Sequence, residues 1–360
     1  PEGQVEPAMT GRISRELVEF QSDRIEAVLA AHRIPVRVHG GIISPAWVRF
    51  HFTAAPTAKV SSIRNLSEEI ALALGASAVR IARDGNLLAI EVPRSDKQTL
   101  RLLPLLRRVV SSIGIQPVSA CIGLTQDGHP LLLRLPAPDV SHVLVAGATG
   151  SGKTELMRTL LFSLVATNRQ HKLQLALIDP KSRGFAPLAF LPHLIAPIAA
   201  DVASAVVLLE RMLIEMDRRD ARGVSSPRIV IAVDEVIDLL MTGGKPVETA
   251  LTRIAQRGRE AGLHLVLGAQ KPASTVLGPH LKANLPVRLV GRVGSIDDAR
   301  VAAGVAGSGA EKLMGRGDFI AVSGGQTIHF QSAFVPSNDL AEFRHVIQGQ
   351  TPLLADPHDE

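Results

Sequence analysis

The sequence predicts an α/β fold in which a mostly parallel, doubly wound sheet follows a small α+β part. From residue 121 onward, short apolar runs alternate with helical or loop segments, which is typical of parallel strands joined by helices. Several of these runs end in glycine or polar residues, as expected where ligands bind at the carboxyl ends of parallel strands. The predicted strands are 143–146, 173–178, 229–233, 264–269 and 286–291, and a hairpin over 318–333 follows them.

The first hundred residues have a different pattern. We predict a helix over 14–33, strands over 35–39 and 47–53, a helix over 61–75, and a hairpin over 78–92. A chain of 360 residues fits two domains. The predicted division is an N-terminal arm and helix at 1–33, a small α+β subdomain at 34–108, a larger α/β domain at 109–345 and an acidic, disordered tail at 346–360.

A glycine-rich loop follows the first predicted strand of the larger domain. Its sequence, Gly147-Ala-Thr-Gly-Ser-Gly-Lys-Thr154, fits G-x-x-x-x-G-K-[ST], the loop that binds nucleoside triphosphates. Glycines let successive backbone N–H groups turn toward phosphates, a lysine reaches the β- and γ-phosphates, and a threonine hydroxyl can bind Mg²⁺. The predicted ligands are therefore ATP and Mg²⁺, and the predicted nucleotide contacts are Gly147, Ala148, Thr149, Gly150, Ser151, Gly152, Lys153, Thr154 and Glu155.

Two adjacent carboxylates end another predicted strand. Asp234 and Glu235 follow the apolar run at 228–233. We predict that Asp234 binds Mg²⁺ together with Thr154, and that Glu235 is the general base that polarises the attacking water. The alternative is an acidic helix N-terminus, because residues 236–241 have a helical pattern.

Composition limits the classes of function. The net charge of +5 permits a nucleic-acid partner without requiring one. Aromatic residues are scarce, with no Tyr and Trp47 as the only Trp, which disfavours base stacking with single strands. Cys121 is the only cysteine, so a reducing compartment is expected. No apolar run reaches membrane-spanning length, so we predict a cytoplasmic location and no membrane contact from this segment; membrane association would need segments outside this chain.

Further motifs occur in a fixed order along the chain. After the phosphate loop come Leu177-Ile-Asp-Pro-Lys181, Ile231-Ala-Val-Asp-Glu235, Ala255-Gln-Arg-Gly-Arg259, Gly268-Ala-Gln-Lys-Pro272, Lys282-Ala-Asn-Leu-Pro286, Ser295-Ile-Asp-Asp-Ala-Arg300 and Gly315-Arg-Gly-Asp318. With this set the chain resembles the motor region of the FtsK/SpoIIIE double-stranded DNA translocases. Residues 40–50, 59–63 and 90–93 are similar to that family's α subdomain.

The resemblance implies a RecA-like P-loop NTPase that assembles with copies of itself into a ring, with a hexamer the expected size, and moves double-stranded DNA through it. It implies that Gln270 senses the γ-phosphate and that Arg300 acts on the ATP site of a neighbouring subunit; Arg257 and Arg259 are the alternatives. Asp179 and Lys181 either couple the ATP site to a neighbour or form an ordinary surface pair. The implied DNA contacts are Lys271, Lys282, Gly324 and Gln326.

Some positions depart from the family pattern. Ala299 stands where a serine usually precedes the matched arginine, the stretch 182–185 lacks an acidic residue, and the hairpin tip at 323–326 carries no positive charge. Three other functions stay open. They are a secretion ATPase that moves polypeptide, a conjugation-type coupling ATPase that moves single strands, and a nucleotide-binding scaffold without activity.

Overall fold

The structure is a computed structural model, and it describes residues 14–44, 46–54, 58–84, 87–96, 99–270 and 275–348. These residues fall into two compact units. The smaller unit holds the described residues up to Thr99 together with Gln126–His129, and the larger unit holds the remainder. Residues 1–13 and 349–360, which contain the predicted arm and most of the predicted tail, lie outside the described part of the chain.

The smaller unit is an antiparallel sheet covered by helices. Its strands have the order β1–β2–β4–β3. Helix α1 packs on this sheet, because its Ile25 and Leu29 are buried in the same apolar core as Phe50 and Ile90. The elements are α1 (Arg15–Ala31), β1 (Val36–Ile43), β2 (Trp47–Ala54), α2 (Val60–Asn65), α3 (Ser67–Ala73), β3 (Arg80–Asp84) and β4 (Leu87–Pro93).

The larger unit is built on a nine-stranded sheet. Its elements are α4 (Leu102–Ser112), β5 (Ser119–Thr125), β6 (Pro130–Arg134), β7 (Val143–Ala146), α5 (Lys153–Thr167), β8 (Leu173–Ile178), α6 (Val202–Arg222), β9 (Arg228–Val233), α7 (Val236–Arg257), β10 (Leu263–Ala269), α8 (Pro279–Ala283), β11 (Val287–Gly291), α9 (Ile296–Ala303), β12 (Asp318–Ser323), β13 (Gln326–Ser332) and α10 (Ser337–Gln348). The strand order is β6–β5–β13–β12–β11–β7–β10–β9–β8.

Five neighbouring strands of this sheet, β11, β7, β10, β9 and β8, run parallel. These are the five strands that the sequence predicts, and the remaining four pair antiparallel. One apolar core contains α4, α5 and α10, and a second contains α6, α7 and α9, so helices cover both faces of the sheet. The predicted fold class is therefore confirmed.

Helix α5 lies in the middle of the larger unit. Twelve of its fifteen residues are buried, Leu156, Leu160 and Phe162 among them. A helix that is apolar on nearly every side belongs to the interior of a large domain. Burial of one such leucine or phenylalanine contributes about 1.5–3 kcal/mol. The helix begins at Lys153, so its packing fixes the phosphate loop at its N-terminus.

Helix α4 spans residue 108, where the sequence analysis divided the small subdomain from the larger domain. Leu103, Leu106 and Val109 of this helix are buried in the core of the larger unit. None of the helices in the described ranges combines the length and the apolar character that a bilayer crossing requires.

Two buried histidines lie at the opposite end of the parallel strands from the phosphate loop. His264 Nδ1 donates to the Ser141 carbonyl (2.9 Å), and the Leu265 N–H donates to His142 Nδ1 (3.0 Å). Burial lowers the pKa of His142 to about 3, with a smaller contribution from His264. Burial also lowers the pKa of His264 to about 4; the Ser141 hydrogen bond opposes this shift, and the charges of Arg228 and Arg259 add to it.

Acid should therefore destabilise the chain through this pair. Unfolded histidine binds a proton near pH 6.5, so below that pH the unfolded chain binds more protons than the folded chain. The stability contributed by the neutral histidines is complete above pH 6.5 and is lost as the pH falls toward 4. We expect His264→Leu to reduce the slope of unfolding free energy against pH, between pH 6.5 and 5, by up to about 1.4 kcal/mol per pH unit, with the largest reduction near pH 5. Denaturant titrations at several pH values measure it. An unchanged slope in His264→Leu would contradict the assignment.

Candidate nucleotide-binding site

The phosphate loop connects β7 to α5. Gly150 (φ 81°) and Gly152 (φ 99°) adopt left-handed backbone conformations that favour glycine. A Cβ at Gly152 would also lie 2.9 Å from the backbone nitrogen of Gly317, so a side chain there has no space. Because α5 begins at Lys153, the N–H groups of its first turn have no partner within the helix and can bind an anion.

The outer side of the loop is held by backbone hydrogen bonds. The N–H groups of Arg316 and Gly317 donate to the carbonyl oxygens of Gly150 (3.0 Å) and Ser151 (2.9 Å). The Ala148 N–H donates to the Arg292 carbonyl (2.8 Å). The segment 315–317 leads directly into β12, so the β12–β13 hairpin and the phosphate loop are hydrogen-bonded neighbours.

Behind the loop, the side chains of Lys153, Thr154, Asp234, Glu235 and Gln270 form what we call the charged cluster. The Lys153 ammonium donates to Asp234 Oδ1 and to Glu235 Oε1, the latter at 2.9 Å. Lys153, Asp234 and Glu235 are all buried. Buried charges are tolerated when they are paired and hydrogen-bonded, as these three are. The predicted phosphate-binding lysine and the predicted carboxylates therefore share one pocket.

Glu235 has an unusual backbone. Its φ of 54° lies in the left-handed region, which costs a non-glycine residue about 1–2 kcal/mol. This conformation places Glu235 between the end of β9 and the start of α7. Its carboxylate accepts hydrogen bonds from Lys153 and from Gln270 Nε2 (2.6 Å). Such strain occurs where the surroundings hold a functional side chain in place.

The cluster contains the oxygen atoms that a magnesium ion needs from this chain. Thr154 Oγ1 lies 3.3 Å from Asp234 Oδ2, so a hydroxyl and a carboxylate oxygen converge beside the phosphate loop. Mg²⁺ is usually bound by one or two such protein oxygens, with phosphates and water as the other ligands. The residues therefore fit Mg²⁺ with a nucleotide. Within the described ranges, no group of three or more His, Cys, Asp or Glu side chains forms a separate metal site.

Other predicted site residues lie apart from the charged cluster. Arg300 is exposed on α9 and forms an ion pair with Asp297 (3.4 Å). Arg257, one alternative to Arg300, pairs with Asp220 (2.7 Å). Arg259, the second alternative to Arg300, lies beside Glu260. Among the predicted DNA contacts, Lys282 is half-buried on α8, and Gly324 and Gln326 are exposed at the β12–β13 turn. Lys271 lies outside the described residues.

The sequence analysis did not identify three residues that contact this site. Gly268 lies inside β10, and a Cβ there would be 3.0 Å from Asp234 Oδ1 and 3.3 Å from Lys153 Nζ. A glycine inside a predicted strand is a signal of close approach that could have revealed it. Gly184 lies beside Asp234 in the loop after β8, and Arg158 of α5 contacts Gly184 and Glu155. No sequence signal distinguishes Arg158 from other helix-surface arginines.

The doubly wound sheet, the phosphate loop and the paired carboxylates define this chain as a P-loop ATPase. Residues 114–223 and 220–274 match the FtsK/SpoIIIE family, and residues 5–94 match the FtsK alpha domain. The chain belongs to the FtsK/SpoIIIE family, as its motifs predicted.

Curated relatives agree with this. The chain is 31% identical to DNA translocase SftA of Bacillus subtilis (strain 168) over 361 residues, covering 93% of this chain and 38% of SftA. It is 35% identical over 309 residues to a DNA translocase FtsK of Campylobacter jejuni, covering 78% of this chain and 32% of the relative. It thus spans less than half the length of these relatives.

Two solved structures resemble the fold. The structure of the pCW3 conjugation coupling protein TcpA with ATPγS has a TM-score of 0.63 at 17% identity. The aligned part covers 92% of this chain and 99% of the TcpA chain. The cytoplasmic domain of the Type VII secretion ATPase EccC of Thermomonospora curvata has a TM-score of 0.57 at 25% identity, covering 72% of this chain and 36% of its own. The first likeness supports the fold alone.

Proposed function

We propose that this chain is the motor of a double-stranded DNA translocase that is driven by Mg²⁺-dependent ATP hydrolysis. One observation carries the proposal: Lys153, Asp234 and Glu235 meet in one buried pocket directly behind a phosphate loop. The choice of DNA as the cargo follows from the relatives, which are named DNA translocases. We propose a cytoplasmic location and the chain division stated above, with the larger α/β domain as the ATPase motor.

The residues of the pocket divide the chemistry among them. Backbone N–H groups of residues 147–155 and the Lys153 ammonium bind the phosphates, which requires Lys153 to leave the carboxylates. Thr154 and Asp234 would hold Mg²⁺, and the ion supplies charge neutralisation on the transferring phosphoryl group. Glu235 accepts the proton of the attacking water. Gln270 Nε2, which bonds Glu235, can donate to the γ-phosphate instead.

We propose that the chain acts as a homo-oligomeric ring, with a hexamer the expected size. Arg300 supports this, because its guanidinium is exposed and its ion pair with Asp297 lies within its own helix, which leaves the side chain accessible to a neighbouring subunit. A guanidinium stabilises the charge that develops on the phosphoryl group. Arg300 would therefore complete the ATP site of the next subunit.

Contacts with DNA would be made mainly with phosphates, since a motor must move along any sequence. Lys282, Gly324, Gln326 and Lys271 are the proposed contacts. Gly324 and Gln326 are exposed at the β12–β13 turn, where a phosphate backbone could approach them. Polypeptide is the second candidate cargo, and it is favoured by the similarity to EccC at 25% identity.

The test measures ATP hydrolysis with duplex DNA, single-stranded DNA, unfolded polypeptide or no addition. We expect stimulation by duplex alone, and a stimulation that falls steeply with salt, because phosphate contacts release counterions. Arg300→Ala should lose turnover and keep ATP binding. Mixing it with Lys153→Ala subunits should restore turnover, since each variant supplies what the other lacks. Stimulation by polypeptide and not by duplex would replace the proposal with its alternative, and an intact oligomer that no duplex stimulates would contradict it.

A further inference from the structure

The loop that follows β8, residues 179–185, lies against the charged cluster; we call it the β8 loop. Its first residue, Asp179, is buried, and its backbone N–H donates to the Ala199 carbonyl (2.9 Å). Asp179 Oδ2 accepts the N–H groups of Gly184 (2.7 Å) and Phe185 (2.9 Å). Phe185 is fully buried. One carboxylate therefore fixes the path of the loop, and an apolar side chain anchors its end.

Helix α5 holds the loop from the other side. Arg158 lies one turn after Thr154 and donates to the carbonyl oxygens of Gly184 (2.5 Å) and Arg183 (2.8 Å). Its guanidinium also pairs with Glu155 (2.5 Å), which keeps it in place on the helix. Hydrogen bonds from a charged donor are stronger than those between neutral groups. The helix that carries Lys153 and Thr154 is thus joined to the β8 loop by hydrogen bonds to two carbonyl oxygens.

A third contact joins the loop to α7, the helix that follows Glu235. Lys181 forms an ion pair with Asp238 (2.6 Å), and this partner, helped by the charges of Glu235 and Asp234, raises the pKa of Lys181. Both groups are about half exposed, so this pair is weaker than the Arg158 contacts. The loop is therefore attached to α5, which carries Lys153, and to α7, which begins directly after Glu235.

Gly184 is the point of contact with the charged cluster. A Cβ at this position would lie 2.5 Å from Asp234 Oδ2 and 3.4 Å from Thr154 Cγ2. The peptide of residue 184 therefore forms the wall against which the Asp234 carboxylate rests, on the side of the oxygen nearest Thr154. Only glycine leaves room for that carboxylate.

We propose that the β8 loop positions Asp234 for Mg²⁺, with Gly184 as its contact surface and Asp179 and Arg158 as positioning residues. The need arises from the dual use of Lys153. In the structure Lys153 bonds Asp234, and in the proposed function it must move to the phosphates. Asp234 then loses its cationic partner, and the wall at Gly184, which depends on neither Lys153 nor phosphate, keeps its carboxylate directed toward Thr154. This inference rests on the proposed ATPase chemistry and not on the identity of the cargo.

The experiment measures metal binding rather than turnover. A fluorescent ATP analogue is titrated onto the full chain in EDTA and then at rising Mg²⁺, and Mn²⁺ binding to the nucleotide complex is followed by electron paramagnetic resonance. We expect Gly184→Ala and Arg158→Ala to raise the half-saturating metal concentration by roughly 10- to 100-fold, as loss of groups that orient metal ligands does. Nucleotide affinity in EDTA should stay within about twofold, since neither residue contacts the phosphates.

Arg158→Lys keeps a donor and should recover part of the metal affinity. Arg183→Ala is the matched control: it lies in the same loop, its side chain is exposed and only its carbonyl oxygen is used, so its metal affinity should be unchanged. Thermal unfolding checks that each variant is folded. If Gly184→Ala does not fold, the comparison of Arg158→Ala with Arg158→Lys carries the test. Wild-type metal half-saturation in Gly184→Ala and Arg158→Ala would overturn the inference. If duplex DNA did not stimulate the unchanged chain, the proposal that DNA is the cargo would be wrong, but the inference that the β8 loop positions Asp234 for the metal would not be affected.

Discussion

Glu235→Gln is expected to bind ATP and to hydrolyse it roughly 10²- to 10⁴-fold more slowly than the unchanged chain. The physical reason is the removal of the one group in the cluster that can accept a proton from water while Asp234 is occupied with the metal. Glutamine has the same shape, so it can still accept the hydrogen bonds that Lys153 and Gln270 donate. The phosphate loop and Lys153 stay intact, and nucleotide affinity should change little.

Phosphate release under single-turnover conditions and equilibrium binding of ATP separate the two effects. Glu248→Gln is the matched control, because Glu248 lies on the helix that follows Glu235, is half-buried and pairs with Lys245 (3.1 Å). Its turnover should equal that of the unchanged chain. Normal hydrolysis by Glu235→Gln would show that another group accepts the proton.

Lys153→Met is expected to abolish ATP binding and to destabilise the chain by about 3–5 kcal/mol. Both effects follow from the position of Lys153 beside the phosphate loop and between two buried carboxylates. Lys153 is the cation that pairs with the buried carboxylates of Asp234 and Glu235, and methionine of similar length leaves those two negative charges buried without it. Removal of one partner from a buried ion pair leaves the cost of desolvating the other uncompensated.

The double variant Lys153→Met, Asp234→Asn distinguishes the two consequences. Removing one carboxylate should restore part of the stability, whereas ATP binding should stay absent because the phosphates still lack their lysine. Denaturant unfolding and nucleotide titration measure these quantities. Lys245→Met, at an exposed pair, should change stability by less than about 1 kcal/mol. A Lys153→Met chain as stable as the unchanged one would mean that the buried pairing contributes nothing.

The parallel strands were predictable because each is a short, apolar run between polar ends. The predicted bounds 143–146 and 173–178 agree with β7 and β8, and the other three differ by one residue at the start. Such runs are buried on both faces, so composition alone identifies them. The sequence analysis placed most of helix α4 in the small subdomain, because it ended that subdomain at residue 108. Its burial depends on the larger sheet, which no local pattern reveals.

The centre of the candidate site was predictable for a related reason. Asp234 and Gln270 directly follow the parallel strands β9 and β10, and Lys153 ends the loop that follows β7. The carboxyl ends of parallel strands lie at the same edge of the sheet. Their meeting needed no knowledge of packing. The contacts of Asp179, Arg158 and Gly184 were not predictable, because they depend on how one loop folds back onto a helix. The sequence analysis left Asp179 open between coupling and a surface pair, and the structure has it buried with two backbone donors.

The hydrogen bonds from Arg316 and Gly317 to the phosphate loop have a chemical consequence. Donor and acceptor are both peptide groups, so exchanging the side chain of Ser151 or Arg316 for another leaves the atoms of this bridge in place. Severing it takes a backbone change that deletes an amide hydrogen, such as proline or an ester linkage. The connection between the β12–β13 hairpin and the phosphate loop is therefore made by main-chain atoms, which a change of side chain at Ser151 or Arg316 does not remove.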